Sequence, residues 1–453
     1  MRRVVKVSRI RIIITIIVVV LTTLLTGCTG KEPNEIAYVV ALGIDSTDDD
    51  NYKITIQYAN TTQISGGASE SGGKAGSEIV DNVTIEAPNI YAGVDLANNI
   101  VSKSFSMSHA KLIVFSKEIA EKGVKDMIET LVRSEEIRPD VFIAVANTTA
   151  NDYLTSVNPE MEVNPAQYYQ LIYQKNQLVG IPDGQLREFF TGLYTDNYDS
   201  ILPVAGVIEG SGGNSQNDDK GQSKDGQNEG SEGSSESLDS IESKNSNENE
   251  KEKDAEKNTS KYEYDIKNYV GGETAIEKKN KAEAIGAAVF EKDKMVGELG
   301  EVETEICKML KGDYSYSYLT YYNNDTPDIP ITVKTTQQKK PKYKIDTDKK
   351  TVDIELYIES DLYSLPSDYN VENKIEEFER DVANYTSSAC TEFINNFTKK
   401  YNSDILKLNE KVKYKFLTNN QYNWFKKNVG WSEYKFSVCT NFKVRRTGLI
   451  VRE

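Results

Sequence analysis

The sequence predicts an α+β protein of two to three mixed sheet-and-helix domains, and three observations carry that prediction. Apolar runs of strand length recur as closely spaced pairs, the pattern of hairpins. Between them lie stretches whose apolar residues recur every three or four positions, the pattern of amphipathic helices. An acidic tract near the middle, almost free of apolar side chains, divides the chain. Hairpins interleaved with helices favour α+β over a doubly wound sheet.

Residues 1–27 read as a targeting segment. Arg2, Arg3, Lys6, Arg9 and Arg11 precede an apolar run of 14 residues from Ile12 to Leu25, shorter than the ~20 residues of an ordinary membrane span. A basic head, a short apolar middle and small closing residues describe a secretory signal. Its ending, Leu25-Thr26-Gly27-Cys28, resembles the bacterial lipobox, whose cysteine takes a diacylglyceryl group and becomes the new N-terminus. Two or more acyl chains anchor stably. Cys28 is therefore the expected lipid attachment site, with the mature chain on the outer face of a membrane.

The region 28–208 alternates strand and helix signals and admits two subdomains. Ile36–Ile44 is a buried-strand run, the cluster Asp45–Asn51 a turn, and Tyr52–Tyr58 alternates with period two. Ser65–Ser77, rich in Gly and Ser, reads as a long loop tip. Pro88 opens a helix carrying Ile90, Val94, Ala97 and Val101 on one face. Lys111–Phe115 is a strand, Glu118–Arg133 a helix, and Val141–Ala146 another strand. Asn164-Pro165 caps a further helix.

Residues 209–261 form an acidic insertion rich in Gly, Ser and Asn. Between 209 and 260 it holds 14 acids and six lysines, with only Leu238, Ile241 and Ala255 apolar. Such a tract cannot offset a backbone ordering cost of ~1–2 kcal/mol per residue and is expected to be disordered.

The C-terminal domain, 262–453, begins with the hairpin Ala284–Phe290 and Met295–Leu299. A second hairpin pairs Lys342–Ile345 with Val352–Ile358. A long helix from about Val371 to Tyr401 carries Ile375, Phe378, Val382, Tyr385, Ala389, Phe393 and Phe397 as one stripe, a core face packed on a sheet. Val412–Phe416, Tyr434–Val438 and Phe442–Ile450 read as closing strands.

Composition narrows the function. Removing 27 residues leaves 426 of 453, and the five departing basic residues take the net charge from −16 to −21. So acidic a chain argues against nucleic acid as a partner and against a polybasic grip on anionic lipid. Cys307, Cys390 and Cys439 are too far apart for a CxxC site; they are expected as buried thiols, with one disulfide pair still open. A single histidine, His109, removes most zinc and triad chemistry and is expected half-buried and bonded to backbone. Glu135 and Glu136 are expected on a solvated face. No phosphate-binding, zincin or hydrolase motif is present, so no catalytic residue, metal or cofactor is assigned.

What remains is contact. Tyr314, Tyr316 and Tyr318, with Tyr321 and Tyr322, suit either a protein-binding surface or a half-buried strand with tyrosines on one face. Trp424 and Trp431 are read as core anchors that also qualify as interface residues.

Five ordered motifs resemble the Ger(x)C family, the lipoprotein C subunits of nutrient germinant receptors in spore-forming bacteria. Behind the lipobox come Glu35–Asp45, ending Gly43-Ile44-Asp45, then Ser108–Phe115, then Arg133 with Arg138-Pro139. Gly286–Gly297 reproduces the family's Ala-x-Phe-x-x-Asp-Lys-x-x-Gly signature, and Trp424, Trp431 and Gly448 follow in order. Ser403–Lys407 departs from the family's Gly-rich stretch, and the acidic insertion is longer than the resemblance calls for. The resemblance implies a non-enzymatic protein on the outer surface of the spore inner membrane, with membrane-embedded A and B subunits as partners. The rival reading, a substrate-binding lipoprotein of a transporter, expects two α/β lobes around a cleft.

Overall fold

The protein is seen in a computed structural model that describes residues 14–18, 35–49, 51–59, 80–159, 162, 164–174, 180–195, 197–208, 268–274, 280–322, 330–364 and 374–447. Cys28, the loop tip at 65–77 and the acidic insertion lie outside them. Residues before 210 and after 267 belong to one compact unit. Its elements are β1 (Ile36–Ser46), β2 (Tyr52–Ala59), β3 (Val80–Ala87), α1 (Ile90–Asn98), β4 (Ser104–Ser106), β5 (Leu112–Ser116), α2 (Lys117–Lys122), α3 (Lys125–Val132), β6 (Phe142–Ala146), α4 (Ala150–Ser156), α5 (Pro165–Gln174), α6 (Leu186–Thr195) and β7 (Ile201–Val207). After the insertion come β8 (Ala282–Glu291), β9 (Lys294–Leu299), α7 (Glu301–Lys311), β10 (Tyr316–Tyr322), β11 (Pro330–Gln337), β12 (Lys342–Asp346), β13 (Thr351–Ser364), α8 (Ile375–Tyr401), α9 (Leu408–Val412), α10 (Asn419–Asn428) and β14 (Lys435–Arg446). The fold is α+β.

The first sheet runs β3-β2-β1-β5-β6-β7-β8-β9, with β4 beside the start of β1. Its centre, β1, β5, β6 and β7, is parallel; both flanks are antiparallel. Central parallel strands are covered on both faces, so their sequences are continuously apolar. Period two then sorts the side chains: Ile113, Phe115, Ile143 and Val145 enter a core with α1, α2, α3 and α6. Leu112, Val114, Phe142 and Ala144 enter another with α4 and α5.

The β8–β9 hairpin joins this sheet, although it follows the acidic insertion. Antiparallel pairing of Ile201–Val207 with Ala282–Val289 fixes it there. One face, Ala288, Phe290 and Met295, packs into the first core. The other, Ala287, Val289 and Leu299, packs into a core built from the second sheet with α7, α8, α9 and α10. The hairpin is a wall between two cores.

In the second sheet β13 is central. β12 and β11 pair along one edge of it in succession, and β14 runs parallel along the other. The outer edge of β14 is closed by a helix. Thr440 N donates to Ser387 Oγ (2.9 Å), Val438 N to Thr391 Oγ1 (3.0 Å), Phe436 N to Asn395 Oδ1 (3.1 Å) and Val444 N to Glu379 Oε1 (2.9 Å). Four helical residues rise ~6.0 Å and two strand residues ~6.6 Å, so polar side chains every four positions can follow alternate strand amides. Ala383 stands where the missing rung, for residue 442, would fall. An open strand edge is thereby blocked.

Several sequence expectations need correction. The helix expected over 118–133 is two, broken at Gly123, whose φ of 124° suits only glycine. Val412–Phe416 is the end of α9 and a 3-10 turn rather than a strand, with Lys407 and Asp404 setting the helix start. The two closing strands are one, β14. Cys307 and Cys390 are buried and Cys439 is exposed; all three are free thiols.

Close backbone approach locates a testable constraint. A Cβ on Gly206 would overlap the backbone of Gly271, and Gly206 sits in β7 against β8. Gly206→Ala should lower stability by about 1–3 kcal/mol through overpacking, measured as a lower urea midpoint with unchanged slope. An unchanged midpoint would contradict the packing described.

Candidate functional site

The residues carrying the family-like motifs are mostly structural. Gly43 leaves room for Leu154, since a Cβ there would lie 3.0 Å from its Cδ1. Asp45 accepts from Ala150 N (2.6 Å) and Asn151 N (3.0 Å), holding the start of α4. Burial raises its pKa and those two bonds oppose the rise. In the β8–β9 signature, Phe290 meets Phe189 edge-on at 5.1 Å. Asp293 O accepts from Val124 N (3.0 Å), and Gly297 lies under the Tyr401 ring with no room for a Cβ.

His109 differs from expectation. It is exposed, edge-on to Tyr38 at 4.8 Å, and its Nδ1 pairs with Ser108 Oγ at 3.0 Å rather than with backbone. Glu135 and Glu136 are exposed, and Glu136 accepts from Met107 N. Among the described residues no group of three or more His, Cys, Asp or Glu is placed to hold a metal ion.

The tyrosine segment divides by strand alternation. Tyr318 is 52% exposed and meets the exposed Tyr363 edge-on at 5.3 Å. Tyr316 is half-buried under Lys334 Nζ, 4.5 Å from its ring centre. Tyr321 points inward against Phe378 and Tyr385. Tyr314, just before β10, is buried, and its hydroxyl pairs with Thr335 Oγ1 and Glu305 (3.2 Å). Burial pushes the Glu305 carboxyl up to about 7. Of the three tyrosines singled out, only Tyr316 and Tyr318 offer an accessible face. The Tyr322 side chain lies outside the described residues.

The tryptophans divide too. Trp431 is buried, donates from Nε1 to Asn409 Oδ1 (3.2 Å), and packs against Phe425 and Tyr434. Trp424 is 64% exposed on α10 and is no core anchor. On α10 the inward positions are Tyr422 and Phe425, so Trp424 projects from another side.

Beside Trp431 lies a cavity of about 620 Å³ lined by Tyr198, Asp199, Lys292, Asn402, Asp404 and Lys427 among others. Asp404 is its buried corner. Its carboxylate accepts from Leu408 N and Asn409 N, both at 2.7 Å, and its own N donates to Asp199 Oδ2 at 2.8 Å. Asp199 Oδ1 in turn accepts from Lys292 N (3.2 Å). Lys407 and Glu188 form an ion pair at 2.6 Å nearby. These contacts tie the segment before β7, the β8–β9 turn and the chain after α8 into one polar joint. The departure noted at Ser403–Lys407 is thus the joint itself, which no motif in the sequence announced.

Both halves of the chain match models of one family. Residues 30–207 match the spore germination protein N-terminal domain, and residues 285–448 match the spore germination B3/GerAC-like C-terminal domain. The chain belongs to the Ger(x)C family. It is similar to spore germination protein KC of Bacillus subtilis (strain 168), 26% identical over 174 residues, which are 35% of this chain and 42% of that protein. Spore germination protein GerQC of Bacillus cereus is 27% identical over 104 residues, 23% of this chain and 29% of that one. The matched stretches thus span less than half of these relatives. The crystal structure of the GerBC protein aligns over 89% of this chain and 96% of its own, with 15% identity and a TM-score of 0.48.

Asp404 makes a prediction about pH. Burial pushes its carboxyl up from the ordinary carboxylate range to about 7, so the native state holds this proton more tightly than the unfolded chain. Its contribution to stability is full below about pH 4 and is lost as pH rises through about 7. Asp404→Asn removes that dependence, so the stability gap between parent and variant should narrow from pH 4 to pH 8 in urea titrations. A gap constant with pH would contradict the assignment.

Proposed function

We propose that this chain is the lipid-anchored C subunit of a nutrient germinant receptor, acting by contact with membrane-embedded A and B subunits on the outer surface of the spore inner membrane. The observation that carries the reading is the ordered match of both halves to the spore germination domains, at 30–207 and 285–448. The lipobox ending at Cys28 supports the anchor. Confinement to the membrane plane raises the effective concentration near membrane partners, so individually weak contacts suffice.

The geometry supports a contact role through its accessible aromatics. Tyr318 and Tyr363 form an exposed pair on the second sheet beside the half-buried Tyr316, and Trp424 stands exposed on α10. Tyr314 and Trp431 serve the same regions from inside, by holding β10 and the chain after α10 in place.

Two measurements test the proposal together. Metabolic labelling with a fatty acid should mark the parent protein and fail on Cys28→Ala, which should then be released from the membrane. A strain lacking this chain and redundant receptors should lose nutrient-triggered germination, and the chain should co-purify with integral membrane subunits. Label on the variant would refute the anchor; normal germination with no membrane partner recovered would refute the receptor role.

A further inference from the structure

The chain is acidic overall, yet residues 407–427 hold six lysines and a single acid, Glu410. The same stretch leaves three large apolar side chains in water: Tyr414 at 91%, Leu417 at 95% and Trp424 at 64% exposed. Single exposed hydrophobes are ordinary; three within eleven residues, among lysines, are not. The inner side of this stretch is satisfied. Phe416 packs on Phe425 at 5.0 Å and on Tyr422 at 5.9 Å. Lys411 and Lys415 donate to the backbone carbonyls of Leu406 and Ile345. Gln421 and Trp424, three apart on α10, share its exposed side, and Leu417, exposed, stands just before the extended N-cap Thr418.

Topology says where this face lies. β1, β5, β6 and β7 run parallel, so their first residues share one end of the first sheet. α10 reaches that end: Tyr422 Oη donates to Asn197 Oδ1 (3.1 Å) and Lys426 Nζ to the same oxygen (3.3 Å), four residues before β7 begins. β1 begins at Ile36, eight residues beyond Cys28, a length that spans at most about 29 Å. Strands β1 and β7 lie three spacings apart, about 14 Å. A bilayer within reach of the tether is therefore within reach of α10.

We propose that the outward face of α10 and the preceding turn, presenting Tyr414, Leu417 and Trp424 among lysines, rests on an anionic lipid surface. Tryptophan and tyrosine suit the headgroup level, leucine enters below it, and the exposed Lys413 and Lys427, which those inward contacts leave out, meet the negative surface. The occupant is a lipid surface rather than a protein because the stretch reverses the sign of the whole chain and lies at the end of the sheet from which the tether departs. The geometric half of the argument rests on the anchor reading; the test does not.

The test uses residues 29–453, which contain every core side chain from Ala37 to Phe442 and cannot be lipidated at Cys28. Co-sedimentation is measured with vesicles rich in phosphatidylglycerol and with pure phosphatidylcholine vesicles. The expected result is binding to the anionic vesicles that weakens with salt, with a blue shift of tryptophan emission, and little binding to the neutral ones. Tyr414→Ser, Leu417→Ser and Trp424→Ser together should lower partitioning by about tenfold or more while leaving the circular dichroism spectrum unchanged. No binding by the parent, equal binding to both vesicles, or undiminished binding by the folded triple variant would overturn the proposal. A triple variant that binds vesicles normally but no longer co-purifies with membrane subunits would assign the face to a protein and overturn it too. Failure here leaves the Cys28 labelling result standing, and failure of labelling leaves this one standing.

Discussion

The two faces of the β8–β9 hairpin are the constraint on which the rest of the structure depends. Ala288, Phe290 and Met295 complete the core of the first sheet, while Ala287, Val289 and Leu299 complete the core of the second. Neither core closes without this one hairpin. Antiparallel pairing of β7 with β8 places that hairpin correctly even though Leu202 and its partner Ala288 are 86 residues apart in sequence (288 − 202). A loop of that length adds little closure entropy, because the cost grows only with its logarithm.

The most specific family signature falls on this hairpin, where its residues meet packing and backbone demands. Gly286 has a φ of 84° and a Cβ there would lie 2.6 Å from Leu299 O; Gly297 makes room for Tyr401. Phe290 fills the first core, and the Asp293 carbonyl receives Val124 N. Gly286, Phe290, Asp293 and Gly297 each answer a packing or backbone demand. The Asp199–Asp404 joint reinforces the same junction from the edge, with the buried Asp404 carboxylate and the half-buried Asp199 carboxylate both accepting from backbone amides.

Local signals were legible where one residue pattern decides one element. The hairpins at 36–58, 284–299 and 342–358 follow from alternation and turn chemistry, and the long helix follows from its stripe. What escaped the sequence depends on distant partners. The polar positions Ser387, Thr391 and Asn395 look like ordinary solvent-facing residues of α8, yet they cap the amides of β14. Trp424 and Trp431 are alike in sequence, and only the packing of Phe425 and Tyr434 on Trp431 separates the buried ring from the exposed one. Val412–Phe416 alternates like a strand, but Asp404 binds the amides of residues 408 and 409 and starts a helix instead.

The claim that one hairpin unites both cores is tested most directly by a probe in each. Trp431 fluorescence reports the second core, and hydrogen exchange of β1 and β5 amides reports the first, as urea is raised on parent and Phe290→Ala chains. The account predicts coincident midpoints in the parent and an equal downward shift of both in the variant, since a single cooperative unit loses stability everywhere at once. Two separated transitions, with the Trp431 signal unmoved by loss of a first-core phenylalanine, would contradict it.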